Sequence, residues 1–278
     1  SNQRFVLTFN GEIYNFEKLK KNLIKKKIKF ENRSDTQVLL EVISFYGIED
    51  GIKKVNGMFS FALWDKKEKS LYLVSDRLGK KPLYWSNINN NIIFGSELKS
   101  LVSFYMFKRE INKKSLQNFL KFSYINSPDT IFQNTYKLEP ASILRFNSKK
   151  NVTKSHYWDL DFNNENKFKN YNNEEKIEKL SNLLEDSVTK RMISDVPLGV
   201  MLSGGIDSSL VAAIAQKNSR KKVNTYSIGF KNKGFDESKY ASEVSKILST
   251  SHNEFILDDY SVEDLVEKIP LYYDEPFA

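Results

Sequence analysis

The chain has 278 residues, of which 40% are hydrophobic and 13% aromatic, so a globally disordered protein is excluded. Cysteine is absent and there are only two histidines, which excludes disulfides, thiolate zinc sites, cysteine nucleophiles and histidine-rich metal sites within this sequence. No apolar run is long enough to cross a bilayer, and no signal peptide is visible at Ser1. We therefore expect a soluble, cytoplasmic protein with no membrane partner.

The formal net charge of +8 raises the question of a nucleic-acid partner. Many of the lysines lie on one predicted helix, at Lys18, Lys20, Lys21, Lys25, Lys26, Lys27 and Lys29. Its apolar residues, which include Phe16, Leu19 and Leu23, would face the other way. A solvated helix face explains this pattern, and few aromatic residues interleave with the lysines, so no nucleic-acid partner is expected.

The first part of the chain is predicted to contain short strands and a few helices. In chain order the elements include a strand at residues 5–9, a turn at Asn10-Gly11, a helix from about Asn15, and β-rich runs at residues 58–64, 71–74, 83–85 and 92–94. Ser34 and Gln37 have the spacing of a capping box, which would open a helix that stops at Gly47. The first two β-rich runs form a predicted hairpin. Asp76 and Arg77 are interpreted as a loop ion pair without a catalytic role.

The second part of the chain follows a polar stretch at residues 159–174, which is predicted to link domains at residues 1–158 and 175–278. Beyond it the predicted elements are a helix at 175–192, a strand at 199–202, a helix to Gln216, a strand at 224–230, a helix at about 236–248, a strand at 252–257, and a last helix capped by Ser261 and Asp264. Strands separated by helices of this length favour a parallel, doubly wound sheet, in which ligands bind at the carboxyl ends of strands.

The sequence LSGGIDSS at residues 202–209 follows a predicted strand and opens a predicted helix. Main-chain N–H groups in such a turn and the helix N-terminus favour an anion, and Gly204 and Gly205 would let a phosphate approach the main chain. The flanking serine hydroxyls would donate to its oxygens. A Gly-Gly pair alone indicates only a tight turn, and the usual P-loop Gly-Lys-Ser/Thr is absent from this motif. The strand, the hydroxyls and the helix together nevertheless predict a phosphate site.

Several motifs occur together in one order. They are FNGEIYN at residues 9–15, SDTQ at 34–37, NGMF at 56–59, DRLGKKPLY at 76–84, FGSELK at 94–99, SDVPLG at 194–199, LSGGIDSS at 202–209, YSIGF at 226–230 and DEP at 274–276. With these motifs the chain resembles the glutamine-hydrolysing asparagine synthetases over nearly its whole length. The resemblance implies an α+β, N-terminal-nucleophile-type glutaminase sandwich over residues 1–158. Over residues 175–278 it implies an α/β doubly wound parallel sheet of the pyrophosphate-loop ATP ligase type.

In the first domain the resemblance implies that Asn10 and Gly11 form an oxyanion hole for glutamine hydrolysis. An amide side chain and a main-chain N–H both stabilise the negative charge that develops on a tetrahedral intermediate. Glutamine is expected to be bound by Asn10, Gly11, Glu12 and Asp35, with a carboxylate facing its α-ammonium. The simpler explanation of Asn10-Gly11 is a turn. The simpler explanation of Asp35 is an acidic residue at the start of a helix, where it interacts with the helix dipole.

The sequence departs from the family at both ends. The family's glutaminase uses an N-terminal cysteine as nucleophile and its α-amine as base, whereas this sequence has no cysteine. The first strands are therefore expected to be missing. Ser1 is disfavoured as a substitute because it lies only a few residues before the oxyanion motif. The sequence also ends within the DEP motif, so a fragment lacking both ends of the enzyme is expected.

In the second domain the resemblance implies adenylation, with ATP and Mg²⁺ as cofactors. The residues expected to bind ATP are Leu202, Ser203, Gly204, Gly205, Asp207, Ser208, Ser209 and Ile228. Asp207 is the expected magnesium ligand, since a carboxylate oxygen suits this ion, although an acid early in a helix also interacts with the dipole. The carboxylate of aspartate would attack the α-phosphorus of ATP and release pyrophosphate. Ammonia from glutamine would then displace AMP to give asparagine, and Glu275 would orient the substrate or the intermediate. Glutamine and aspartate are thus the expected small-molecule partners, and a homodimer is the expected assembly.

Three other functions stay open at this stage. An enzyme of the same architecture would amidate a cell-surface sugar acid or cyclise a β-lactam precursor, since such enzymes differ in the acceptor pocket. Pyrophosphate-loop domains also adenylate tRNA bases, but the motifs between Asn10 and Tyr84 have no role in that reaction. A binding or scaffold protein without activity would follow if Ser1 were the true start.

Overall fold

The computed structural model describes residues 3–149, 151–162, 168–230, 236–257, 266–269 and 272–276. The chain forms two compact units, one of Ser1–Leu160 with Lys268–Ala278 and one of Asp161–Glu267. The features predicted above that lie outside the described residues are Ser1 and the cap at Ser261 and Asp264. Within the described part of the chain, no helix is both long enough and apolar enough to span a membrane.

The described part of the first unit contains two antiparallel sheets. Its strands are β1 (Phe5–Ile13), β2 (Gly57–Asp65), β3 (Ser70–Ser75), β4 (Tyr84–Ile88), β5 (Asn91–Gly95), β6 (Thr135–Lys137), β7 (Ser142–Phe146) and β8 (Val152–His156). Its helices are α1 (Phe16–Lys25), α2 (Asp35–Tyr46), α3 (Ile48–Lys54), α4 (Leu98–Val102) and α5 (Lys113–Phe122). The five-stranded sheet has the order β1-β2-β3-β7-β8, and the three-stranded sheet has the order β5-β4-β6. The predicted hairpin is confirmed as β2 and β3.

Each face of the five-stranded sheet has its own hydrophobic core, because side chains alternate along a strand. One face carries Phe61 and Val74, which pack in a cluster with residues of α1, α2 and α3. The other face carries Leu73 and Leu144, which pack with Trp85 and its neighbours in the three-stranded sheet. The first unit is thus a helix layer and two sheets, in agreement with the predicted α+β class.

The Asn10-Gly11 pair lies within a strand, so the predicted turn is wrong. β1 runs through this pair, and Gly11 lies opposite Phe59 of β2. Gly11 has a φ angle of +149°, and a Cβ atom there would lie 2.1 Å from the carbonyl oxygen of Met58. Glycine is therefore required here by the close approach of β1 and β2, and the turn comes only after β1 ends.

The start of α2 has the predicted N-cap residue but not the predicted capping box. Ser34 Oγ accepts a hydrogen bond from the main-chain N–H of Thr36 (3.2 Å). The N–H of Ser34 donates to Asn32 Oδ1 (2.9 Å), while Gln37 Oε1 accepts from the N–H of Asn32 (3.1 Å). A capping box would join the Gln37 side chain to the Ser34 N–H, but here both groups bond to Asn32 instead. The helix itself ends before Gly47, as predicted.

Asp76 and Arg77 bind main-chain groups, so the interpretation as an ion pair is wrong. The buried carboxylate of Asp76 accepts hydrogen bonds from the N–H groups of Phe59 (3.0 Å) and Leu78 (2.9 Å), and from others in the same loop. The Arg77 guanidinium donates to the carbonyl oxygen of Val55 (2.9 Å). Asp76 therefore fixes the loop after β3 and ties it to β2.

The second unit contains a parallel sheet with helices between its strands. The elements are α6 (Asn173–Arg191), β9 (Gly199–Met201), α7 (Ile206–Lys217), β10 (Asn224–Phe230), α8 (Ser238–Leu248) and β11 (Ser251–Leu257). The strands have the order β11-β10-β9, and both pairs are parallel. The predicted alternation of helices and parallel strands is confirmed.

Helices α7 and α8 join successive strands and share an apolar cluster with the sheet, where Leu202, Ala212 and Ala241 are buried. Because the three strands lie in chain order, the described part of this sheet is wound in one direction. The second direction of a doubly wound sheet is not seen within that part. Tyr226 and Ile228 alternate with buried residues of β10 and are 42% and 47% exposed.

We expect Asp76→Asn to lower the free energy of unfolding of the first unit by about 3 kcal/mol, because the amide nitrogen cannot accept the hydrogen bonds that the buried carboxylate accepts. Asp50→Asn is the control: it removes an exposed carboxylate and should cost less than about 0.5 kcal/mol. Trp64, Trp85 and Trp158 are the only tryptophans of the sequence and all belong to this unit, so urea unfolding followed by tryptophan fluorescence measures its stability. Equal unfolding midpoints for the two variants would contradict the prediction.

Candidate active sites

The main-chain N–H of Gly11 points to the free edge of the five-stranded sheet. The opposite residue, Phe59, uses its N–H and C=O on the β3 side, where they bond to Asp76 (3.0 and 2.9 Å). Paired residues in an antiparallel ladder bond either to each other or away from each other, so Gly11 directs its own N–H away from β2. Two residues further on, the N–H of Ile13 donates in that direction to Asp35 Oδ2 (3.0 Å). β1 is the edge strand of the described sheet, so the Gly11 N–H is accessible to a ligand.

Asn10 supplies a second donor beside Gly11, and Ser96 orients it. The Asn10 Nδ2 atom donates a hydrogen bond to Ser96 Oγ (3.0 Å). An amide nitrogen carries two N–H groups, so one remains for a ligand. The sequence motif at residues 94–99 contains Ser96 but gave no signal for this contact, because the two residues are 86 positions apart. Adjacent residues thus offer a side-chain and a main-chain N–H, the pair that an oxyanion hole requires.

Asp35 lies against β1 at the first position of α2. Its carboxylate accepts from the Ile13 N–H and also from Thr36 Oγ1 (3.3 Å), which fixes the side chain beside the edge of β1. Glu12 is exposed on β1 between Gly11 and Ile13. The structure therefore brings the four residues predicted to bind glutamine to one end of β1. The place of Asp35 in the first turn of α2 also permits the dipole interaction.

The loop between β9 and α7 is held by serine hydrogen bonds and by contact with α8. Ser203 Oγ and Ser208 Oγ are 3.0 Å apart, and Ser208 Oγ donates to the carbonyl oxygen of Gly205 (3.2 Å). Gly204 has a φ angle of +85°, and a Cβ atom there would lie 2.5 Å from Tyr240 Cβ and 2.6 Å from the Tyr240 carbonyl carbon. The loop therefore lies directly on the main chain of α8, which only glycine allows.

The first turn of α7 carries an exposed carboxylate and a buried hydroxyl. Ser209 Oγ is buried and has no hydrogen-bond partner within the described residues. Asp207 is exposed in the same turn. No group of three or more His, Cys, Asp or Glu side chains in the described ranges is arranged to hold a metal ion. A magnesium ion here would use Asp207 together with phosphate oxygens, which fits the preference of this ion for few carboxylates and a bound nucleotide.

The two residues predicted to contact adenosine lie in different surroundings. The side chain of Leu202 is buried in the apolar cluster of the second unit, and its N–H donates to the carbonyl oxygen of Tyr226 (2.8 Å). Ile228 is on the sheet face that α7 and α8 leave exposed. Ile228 can therefore offer apolar side-chain surface to a ligand, whereas Leu202 can offer only its main chain.

Glu275 lies with the first unit, where its carboxylate forms an ion pair with Lys137 and accepts from the N–H of Ile131 (3.3 Å). Tyr84 is near it. Burial, and next the negative charge of Glu275 and of neighbouring carboxylates, raises the pKa of Tyr84 to about 12. The phenol therefore stays protonated at neutral pH.

Two family models match the chain in tandem. The model of the glutamine amidotransferase domain matches residues 1–158, and that of asparagine synthase matches residues 179–278. The first match covers more than half of the chain. It lies within the first unit, which contains the edge strand β1 with Gly11. The chain therefore belongs to the glutamine amidotransferase domain family.

Proteins that are similar to this chain over nearly its whole length include proteins named asparagine synthetases. The chain is 37% identical over 278 residues to putative asparagine synthetase [glutamine-hydrolyzing] 2 of Methanocaldococcus jannaschii, covering 98% of this chain and 52% of that protein. It is 33% identical over 276 residues to asparagine synthetase [glutamine-hydrolyzing] 1 of Bacillus subtilis, covering 99% and 43%. A solved glutamine phosphoribosylpyrophosphate amidotransferase from B. subtilis aligns at 13% identity and a TM-score of 0.42, covering 95% of this chain and 51% of that one. The chain thus spans about half the length of the curated relatives it matches.

We expect Gly204→Ala to destabilise the second unit by at least about 2 kcal/mol, because the new methyl group would overlap the main chain of α8 at a positive φ angle. Gly205→Ala is the matched control: the nearest atom to its Cβ would be Ser203 Oγ at 3.5 Å, so its cost should stay within about 1 kcal/mol, which alanine costs in place of glycine at the N-cap of α7. Urea unfolding followed by circular dichroism compares the two variants. Equal destabilisation would show that the loop does not depend on contact with Tyr240.

Proposed function

We propose that the full-length protein is a glutamine-hydrolysing asparagine synthetase, which transfers ammonia from glutamine to aspartate with cleavage of ATP to AMP and pyrophosphate. The observation that carries this proposal is the tandem order of the two matched domains in a chain that aligns almost throughout with proteins named asparagine synthetases. The Gly11 N–H at the edge of the described sheet and the loop before α7 would supply the donors that the two half-reactions need.

In the amidotransferase half, Asn10 and Gly11 would donate to the oxygen of the glutamine side-chain amide as it becomes negatively charged. Ser96 would hold the amide plane of Asn10 in the orientation that allows this. Asp35, fixed by the Ile13 N–H, would accept the α-ammonium of glutamine, and Glu12 would add a second negative charge. The nucleophile would come from a part of the protein outside this sequence, which has no cysteine.

In the ligase half, the loop from Ser203 to Ser209 would bind the β- and γ-phosphates of ATP. The main-chain N–H groups at the N-terminus of α7 would donate to phosphate oxygens, with the Ser203 and Ser208 hydroxyls beside them. The Ser209 hydroxyl is buried and would reach a phosphate oxygen only after a change of rotamer. Magnesium would neutralise phosphate charge, and Asp207 would hold it beside the loop. Ile228 would contact the adenosine through its exposed side chain. Orientation of aspartate by Glu275, a cytoplasmic location and a homodimer remain predictions.

The function is tested by product analysis of the full-length protein with ATP, Mg²⁺, glutamine and aspartate. We expect AMP and asparagine to form in equal amounts, and only when aspartate is present. AMP formation with a sugar acid and not with aspartate would move the assignment to another amidotransferase of this architecture. Failure to form AMP with any carboxylate would overturn the proposal.

We expect Asp35→Asn to lower glutamine-dependent asparagine synthesis about 100-fold, because loss of the charge facing the α-ammonium weakens binding by about 3 kcal/mol. Synthesis from added ammonium chloride should stay within about twofold of wild type, since that reaction bypasses the glutamine site. Asp50→Asn, an exposed acid on α3, is the control and should leave both activities unchanged. Equal loss of both activities would show that Asp35 acts only through the fold.

A further inference from the structure

A pocket of about 420 Å³ lies on the helix-covered side of the five-stranded sheet. It lies between the α2–α3 junction and strands β3, β7 and β8, and the lining residues that matter here are Tyr46, Glu49, Tyr72, Ile143, Arg145 and Lys154. Tyr46 is the last residue of α2, whereas Asp35 is the first. A helix of this length separates the pocket from the candidate glutamine site by roughly 18 Å. The volume is within the range of small-molecule sites.

Arg145 brings an unsatisfied positive charge to this pocket. Its Nη2 atom donates to Ser70 Oγ (3.3 Å), and its guanidinium lies 5.5 Å from the centre of the Tyr72 ring. The Nε atom is buried and has no hydrogen-bond partner within the described residues. Arg4, at the far edge of the same sheet, shows the usual arrangement, since its Nε and Nη2 both donate to the carboxylate of Asp65 (2.9 and 2.5 Å). A buried guanidinium N–H without an acceptor is costly, and a carboxylate is its natural partner.

The other charges around the pocket leave one acid available. Lys154 forms an ion pair with Glu139, and Asp50 forms one with Lys53 (3.5 Å). Glu49 is exposed and, in the part of the chain that the structure describes, forms no ion pair. The charges left for a ligand are thus one guanidinium and one carboxylate. The lining also includes Tyr46, Tyr72 and Ile143.

We propose that this pocket binds a free α-amino acid, with its carboxylate on Arg145, its ammonium on Glu49 and its side chain against the two tyrosine rings. A bound carboxylate would accept hydrogen bonds from the part of the Arg145 guanidinium that lines the pocket. Of common small molecules, an α-amino acid carries both charges at a short separation, and its side chain would be accommodated by the mixed polar and aromatic walls. This site is separate from the glutamine site and does not depend on the function proposed above.

The test is isothermal titration of the full-length protein with each of the twenty L-amino acids at pH 7. We expect at least one to bind, with affinity at least tenfold lower in Arg145→Gln and in Glu49→Gln. Because Glu49 is exposed, Glu49→Gln should keep the fold even if Arg145→Gln does not. The amide of the same amino acid, which lacks the carboxylate, and its N-acetyl derivative, which lacks the ammonium, should each bind at least tenfold more weakly.

Asp35→Asn separates this site from the glutamine site. Binding that persists in Asp35→Asn and falls in Glu49→Gln supports the pocket, whether or not the protein makes asparagine. Binding that falls in Asp35→Asn and persists in both Arg145→Gln and Glu49→Gln belongs to the glutamine site and overturns the pocket proposal. Absence of binding by any of the twenty amino acids also overturns it.

Discussion

The close approach of β1 and β2 is the contact on which the candidate glutamine site depends. At Gly11, and again at Gly57 two positions away across the ladder, a Cβ atom would lie 2.1 to 2.2 Å from a carbonyl oxygen of the other strand. Both positions therefore require glycine, and the pairing of Gly11 with Phe59 is fixed. This register turns the Gly11 N–H to the open edge and the Ile13 N–H to Asp35. A shift by one residue would turn both groups inward and remove the donor.

A close main-chain contact also fixes the candidate phosphate loop of the second unit. The loop after β9 lies on the main chain of α8 at Gly204, and the Ser203 and Ser208 hydroxyls close it from within. In both units the candidate donors for an anion include main-chain N–H groups, whose positions are set by strand pairing or helix packing. Such donors do not have to reorganise when charge develops, which is what makes them effective in catalysis.

Patterns local in sequence predicted the fold well, and contacts distant in sequence were missed. Two β-rich runs predicted the β2–β3 hairpin, and the alternation of strands and helices predicted the parallel sheet of the second unit. The Asn10-Gly11 turn was wrong because the reason for glycine is a neighbouring strand, which a local pattern does not contain. The Asp76–Arg77 ion pair was wrong for a related reason: the acceptors and donors that these side chains use are main-chain groups, some of them on another element. The Asn10–Ser96 bond joins residues too distant for any local signal.

The contact between Gly204 and α8 has a genetic consequence. The atoms nearest to a Cβ at position 204 are Tyr240 Cβ, the Tyr240 carbonyl carbon and the Ala241 nitrogen, at 2.5 to 2.7 Å. All three are present whichever of the common side chains other than glycine occupies position 240. A second-site suppressor of a Gly204 substitution should therefore not arise by trimming Tyr240. It should arise where a changed side chain lets the whole of α8 move away from the loop, as in its packing against β10 and β11.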